Sequence, residues 1–125
     1  MNVLLVDDSP SVRSILKVYL MGLRPTFVEA EDGNRALRVL RLSPVDLVIA
    51  DVQMEPMDGI TFVQQLRKSV LPQLRTVPVV MLTSDRSEHI RERGLAAGAN
   101  AFVHKPIDVK TLLRTIGNVM PGGIA

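Results

Sequence analysis

Four consecutive residues without a polar side chain, Leu47-Val48-Ile49-Ala50, lie between Pro44 on one side and Pro56 on the other. A run this short and this uniformly apolar reads as a strand covered on both faces, and such strands belong to parallel sheets flanked by helices. Asp51 stands where that strand ends. In an open parallel sheet, ligands bind in the crevice beyond the carboxyl ends of the strands, so position makes Asp51 a candidate for chemistry. The competing reading is a carboxylate that caps a helix or braces a loop.

The rest of the chain alternates in the same way. Val3 to Val6 is a second short apolar strand and ends in Asp7-Asp8. Ser9 can cap a helix with Pro10 at its first position, and Val12, Ile15, Leu16, Tyr19, Leu20 and Leu23 recur at helical spacing, with closure near Gly22. Thr26 to Ala30 reads as a strand, Asp32-Gly33 as a turn, and Ala36, Leu37, Val39 and Leu40 as the inner face of a second helix. Ile60, Phe62, Val63 and Leu66 mark a third helix, which Pro72 must end or interrupt. Val77 to Leu82 is a fourth strand ending in Thr83-Ser84, followed by a fourth helix from Ser87 to Ala97 that Gly98 stops. Ala101 to Val103 is a fifth strand ending in His104-Lys105-Pro106, and a fifth helix from Asp108 to Val119 is capped by Asp108. This rhythm predicts an α/β fold with a doubly wound five-stranded parallel sheet and five helices.

Composition bounds the possibilities. At 125 residues the chain fits one domain, expected over residues 1–120, with 121–125 as a flexible tail. It has no cysteine, which excludes disulfides, thiolate metal sites and thiol nucleophiles and fits a reducing compartment. The run Val3 to Val6 is too short for a signal sequence or a membrane span, so a soluble, cytoplasmic protein without membrane contact is expected. Net charge is +2, the arginines are spread over several predicted helices, and aromatics are 3%, so no direct nucleic-acid binding is expected.

Right-handed crossovers bring the carboxyl ends of parallel strands to one edge. Asp7, Asp8, Asp51, Thr83, Ser84 and Lys105 therefore share a crevice. Each has an ordinary explanation alone, as cap, strand residue or solvated charge, but four of five strands end in chemically complementary groups. Clustered carboxylates repel unless a cation neutralises them, and oxygen-only ligands on a rigid edge suit Mg²⁺. Lys105 supplies a flexible positive charge, Thr83 a hydroxyl and Ser84 a backbone N–H, all suited to the oxygens of a phosphoryl group, and Asp51 is the candidate nucleophile.

Collected in order, Leu5-Val6-Asp7-Asp8, Glu29-Ala30-Glu31-Asp32-Gly33, Val48-Ile49-Ala50-Asp51, Met57-Asp58-Gly59, Leu82-Thr83-Ser84, Gly98-Ala99 and Val103-His104-Lys105-Pro106 cover Val3 to about Val119. This set resembles the receiver domains of two-component response regulators, closely the single-domain chemotaxis type. The resemblance implies a flavodoxin-like receiver fold with strand order 2-1-3-4-5. It implies that Asp51 accepts a phosphoryl group from a histidine kinase or a histidine phosphotransfer protein. Asp8, Asp51 and the Gln53 backbone carbonyl become Mg²⁺ ligands, and Asp7 holds metal waters. Thr83, Ser84 and Lys105 bind the phosphoryl group, Thr83 and Phe102 form a switch, and Lys105-Pro106 is expected to be cis.

By the same resemblance Gln53 and Asp85 flank the path of the hydrolytic water and tune dephosphorylation. The output protein, or a second receiver, is expected on the face of the fourth helix, fifth strand and fifth helix, where Arg91, Arg93, Lys110 and Arg114 stand. The activity implied is Mg²⁺-dependent self-phosphorylation and autodephosphorylation rather than conventional turnover. Two departures stand out: Pro56 falls one position later than in the family loop, and Lys68 to Thr76 is long. Two alternatives differ in class. An aspartyl-nucleophile phosphatase wants a second aspartate two positions on, where Gln53 stands. A receiver-like binding module that works without phosphorylation has no need of the acids, threonine and lysine together.

Overall fold

Five helices begin on a side chain that closes their first turn. Ser9, Asp32, Asp58, Ser87 and Asp108 accept from the backbone N–H groups of Val12, Arg35, Thr61, Ile90 and Thr111, satisfying donors that the helices cannot satisfy themselves. The computed structural model describes residues Met1–Gly123. Its elements run β1 (Asn2–Val6), α1 (Pro10–Tyr19), a 3₁₀ turn (Met21–Leu23), β2 (Thr26–Ala30), α2 (Gly33–Leu42), β3 (Leu47–Asp51) and α3 (Gly59–Arg67). They continue with α4 (Pro72–Thr76), β4 (Val79–Thr83), α5 (Glu88–Ala97), β5 (Ala101–His104) and α6 (Val109–Val119).

The strands form one parallel sheet in the order β2-β1-β3-β4-β5, the arrangement that the resemblance implied. Strand alternation divides the core into two layers. Leu4, Val6, Val48, Ala50, Val79, Met81 and Phe102 pack with residues of α2 and α3 such as Ala36, Leu40, Phe62 and Leu66. Val3, Leu5, Leu47, Ile49, Val80, Leu82 and Val103 pack with Leu16 of α1, Leu20 at its C-cap, and Leu112 and Ile116 of α6. Burying each such side chain contributes roughly 1.5–3 kcal/mol, so the central strands β1, β3 and β4 are the most costly to disturb.

The sequence differs from the structure in helix number. Pro72 does not cut a continuing helix; α3 has ended at Arg67, and Pro72 opens the additional short helix α4, whose Leu74 is buried. A proline in the first turn has no N–H to waste, which makes it a starter there. The long Lys68 to Thr76 stretch is thus a second helical turn, and the expected fourth and fifth helices are α5 and α6. Gly98 ends α5 with φ +116°, a left-handed conformation that glycine adopts without penalty. Of the expected tail from Pro121, Gly123 donates its N–H to the Met120 carbonyl, and Ile124 and Ala125 lie outside the described residues. No helix among the described residues is long and apolar enough to cross a membrane.

Candidate functional site

The carboxyl edge of the sheet gathers Asp7 and Asp8 after β1, Asp51 at the end of β3, Thr83 at the end of β4 and Lys105 after β5. Carboxylate oxygens of Asp7, Asp8 and Asp51 all lie within 4.8 Å of one another, with Asp7 and Asp51 buried and Asp8 exposed. Asp7 Oδ1 accepts from the Ser9 N–H at 2.8 Å, a turn that also places the capping serine of α1. Its other oxygen, Oδ2, is buried without a hydrogen-bond partner, with the Lys105 ammonium 3.8 Å away. Asp51 Oδ1 accepts from the Gln53 N–H at 3.2 Å, and Oδ2 faces Lys105 Nζ at 3.2 Å.

Burial pushes the Asp7 carboxyl above its usual range; the Ser9 N–H pulls it back, while the neighbouring Asp51 charge pushes further. Asp51 is also raised, chiefly by burial, against the opposing pull of Lys105. Both shifts have one physical origin: charge held in a place that water reaches poorly. An unpartnered buried carboxylate oxygen facing two other carboxylates is a hard, anionic donor set of the kind that divalent cations of the Mg²⁺ class take.

Close packing sets this geometry. A Cβ on Gly59 would stand 2.1 Å from the Asp51 carbonyl oxygen and 2.7 Å from Met81 Cε, so only glycine lets α3 begin against the end of β3. The Gly59 N–H donates to the Val52 carbonyl at 2.9 Å, drawing the intervening loop closed. Met54 is buried in that loop and Met57 half-buried; Glu55-Pro56 is cis, as is Lys105-Pro106, the latter as expected. Arg13 is a residue that the sequence reading missed: its guanidinium donates to the Asp7 carbonyl and pairs with Glu29, which Lys17 also grips. The signal for it was the placement of Arg13 and Lys17 one turn apart on α1, beside a strand ending in Glu29-Ala30.

Thr83 Oγ1 accepts from the Asp85 N–H at 3.0 Å and from Gln53 Nε2 at 3.3 Å, so Gln53 joins the end of β3 to the end of β4. The Lys105 N–H donates to the Thr83 carbonyl at 2.9 Å. Ser84 is exposed beside them. The Asp85 carboxylate accepts from the Ser87 N–H, and these Ser87 hydrogen bonds hold it below the usual range.

Phe102, the residue expected at the switch position, is buried. Gly94 on α5 explains it: a Cβ there would lie 2.1 Å from Phe102 Cζ, so the ring occupies the volume that any other residue would fill. Arg91, Arg93, Lys110 and Arg114 are exposed on α5 and α6, with Arg93 lining a groove toward Arg67 and Lys68 of the α3 end. Beside Lys105, a separate groove of about 220 Å³ is walled by Val12, Ile15 and Tyr19 of α1 and by Pro106 and Ile107.

Comparison with known proteins places these features in a family. A family model described as the response regulator receiver domain matches residues 3–117. A gliding motility regulatory protein of Myxococcus xanthus is 35% identical over 117 residues, which are 93% of this chain and 15% of that protein, so the chain spans a small part of its length. The chemotaxis protein CheY4 of Vibrio cholerae superposes with a TM-score of 0.87 at 34% identity, covering 95% of this chain and 98% of that one. The receiver domain of a Pseudomonas aeruginosa sensor histidine kinase, solved with a magnesium ion coordinated in its active-site cleft, superposes with a TM-score of 0.83 at 26% identity, covering 94% and 95%. The matched span runs through all five strands and their polar ends, and the chain belongs to the response regulator receiver domain family, the phosphorylation-accepting module of two-component signalling.

Proposed function

We propose that the chain, through a receiver unit of residues 1–120, takes a phosphoryl group onto Asp51 from a phosphohistidine of a histidine kinase or histidine phosphotransfer protein in the cytoplasm. An Asp51 carboxylate oxygen bonds to phosphorus as the phosphorus–nitrogen bond breaks, and the imidazole nitrogen leaves with the bonding pair. The observation that carries this reading is Lys105 Nζ at 3.2 Å from Asp51 Oδ2 in a crevice whose third wall is Thr83. Lys105 orients the acceptor carboxylate and holds positive charge where the phosphoryl oxygens collect, and the Thr83 hydroxyl and Ser84 N–H bind those oxygens.

The residues present fit Mg²⁺. Asp8, Asp51 and the Gln53 carbonyl would hold it, with Asp7 anchoring its waters, and the partnerless Asp7 Oδ2 supports that assignment. When bound, the cation neutralises the carboxylates and a phosphoryl oxygen.

The new anion draws the Thr83 hydroxyl, and the Phe102 ring, already lodged against Gly94, is kept inward on the face of α5, β5 and α6 that an output protein or a second receiver would read. Incubation with Mg²⁺ and acetyl phosphate, followed by intact-mass measurement, tests the whole reading. The expected product is one labile phosphoryl group per chain, absent in Asp51→Asn and in EDTA. Turnover of acetyl phosphate without accumulation would instead mark a phosphatase, and no reaction an inert binding module. Gln53→Ala and Asp85→Ala are expected to change the decay rate of that product at unchanged fold; decay equal to wild type in both removes them from the hydrolytic path.

A further inference from the structure

The edge of the sheet opposite the crevice carries a surface that phosphoryl transfer does not use. Residues 33–45 and 59–84 contain no aspartate or glutamate, yet they supply six cationic side chains. Two of these are spoken for: Arg35 pairs with Glu31, and Arg67 turns inward onto the Gly98 and Leu74 carbonyls. Arg38, Arg41, Lys68 and Arg75 are exposed, and among the described residues none lies within 4.0 Å of a carboxylate. Asp46, the next acid after α2, accepts from the Asn2 N–H at 2.7 Å.

Two grooves meet in this region. One, of about 500 Å³, lies between α2 and the α3–α4 connection, with Leu37, Leu71 and Leu74 among its walls and Arg41 and Lys68 beside them. The second, of about 250 Å³, lies between the α2 end and α4 and shares Arg41 and Leu74 with the first. Arg41 is therefore the ridge between two apolar hollows. Leu42 and Val70 border them at 85% and 89% exposure, so two branched aliphatic side chains stand almost wholly in solvent at the groove rims.

We propose that this α2–α4 edge is a docking surface for an acidic amphipathic segment of a partner protein. Apolar side chains at helical spacing would enter the two hollows, and carboxylates on the flanks would meet Arg38, Arg41 and Lys68. The concavity selects this occupant: Leu37 and Leu74 lie at the floor of grooves, where a flat lipid surface does not reach. Nucleic acid would want aromatic or arginine stacking on an open platform, and no aromatic residue lines either groove. Charge complementarity fixes the sign of the partner, because among the described residues no acid lines either groove and Asp46, the nearest in sequence, is engaged by the Asn2 N–H.

The test uses the full chain and a fluorescein-labelled helical peptide with leucine at i, i+3, i+4 and i+7 and glutamate on its flanks. Saturable binding is expected, with amide shifts concentrated in residues 38–45 and 65–76. Arg41→Glu with Lys68→Glu should weaken it about tenfold or more. Val70→Ser with Leu42→Ser should weaken it less, and both pairs should leave acetyl phosphate labelling intact. The charge-matched pair Lys110→Glu with Arg114→Glu on α6 should bind as wild type, which separates this edge from general attraction to a basic protein. Absence of binding, equal loss in the α6 pair, or shifts mapping elsewhere overturns the proposal. So does preferential binding of phosphatidylserine vesicles or duplex DNA over the peptide.

Discussion

The two edges of the sheet treat polar groups in opposite ways. At the amino edge exposed and part-buried polar groups find partners. The Asn2 N–H meets Asp46 and its side chain the Pro44 carbonyl, while Asn100 Oδ1 takes both the Val79 N–H at 2.8 Å and Arg67 Nη2 at 3.1 Å. At the carboxyl edge the buried Asp7 Oδ2 has no hydrogen-bond partner, and three carboxylates crowd one another with one lysine facing two of them. The same backbone register serves both edges, so the contrast lies in the side chains. Satisfied polar groups pin strands, and unsatisfied ones hold free energy available to a ligand.

Asp51→Asn breaks the contrast most severely. Phosphoryl acceptance is expected to vanish, yet the folded state should become more stable in metal-free buffer at neutral pH. The folded Asp51 pKa lies above the unfolded one, so folding favours the protonated form and stability falls as pH rises through that interval; the amide removes the penalty. The gain, read as melting temperature with EDTA present, should shrink as pH drops to about 4, where the unfolded carboxyl also takes up its proton. A lower melting temperature for the variant at neutral pH would show that Lys105 outweighs burial.

Arg67→Ala attacks the other edge. It removes a guanidinium bonded to the Gly98 and Leu74 carbonyls and to Asn100, and should cost about 2–3 kcal/mol in urea unfolding while leaving phosphorylation intact. Proportional loss of labelling under native conditions would mean that the two edges are coupled. Gly94→Ala should cost roughly 1–3 kcal/mol by overpacking against Phe102 and should move the ring outward, visible as changed Phe102 aromatic shifts. Unchanged shifts would show that α5 yields instead. The smallest effect is expected for Asp58→Ala, which loses the α3 cap at about 1 kcal/mol with labelling unaltered.

Most of the architecture was legible because the apolar runs and helix starts are local signals. Val3 to Val6, Leu47 to Ala50 and the caps Ser9 and Asp108 each announce themselves within a few residues. The sheet order was available through the family resemblance rather than through spacing. The short helix at Pro72 was not legible, since a proline after an apolar helix looks like a terminator until the chain before it is known to have already ended. Among the site residues, the cluster of Asp7, Asp51, Thr83 and Lys105 followed from strand ends. The roles of Gly59 and Gly94 could not follow: each is defined by what its missing Cβ would strike, an Asp51 carbonyl or a Phe102 ring brought near only by the fold. For Arg13 the sequence marked only the spacing with Lys17 that pairs both with Glu29; its bond to the Asp7 backbone carbonyl, which ties it to the site, has no sequence pattern.

The groove beside Lys105 has an optical consequence. The chain holds one tyrosine and no tryptophan, and that tyrosine, Tyr19, walls the groove with Lys105, Pro106 and Ile107. Its emission therefore belongs to a single fluorophore beside Lys105, the lysine proposed to bind the phosphoryl oxygens, with no indole and no second phenol to dilute it. Addition of acetyl phosphate and Mg²⁺ should change tyrosine intensity on the timescale of phosphorylation, and Tyr19→Phe should leave the protein dark but active. Unlabelled wild-type protein then times its own chemistry in a stopped-flow cell.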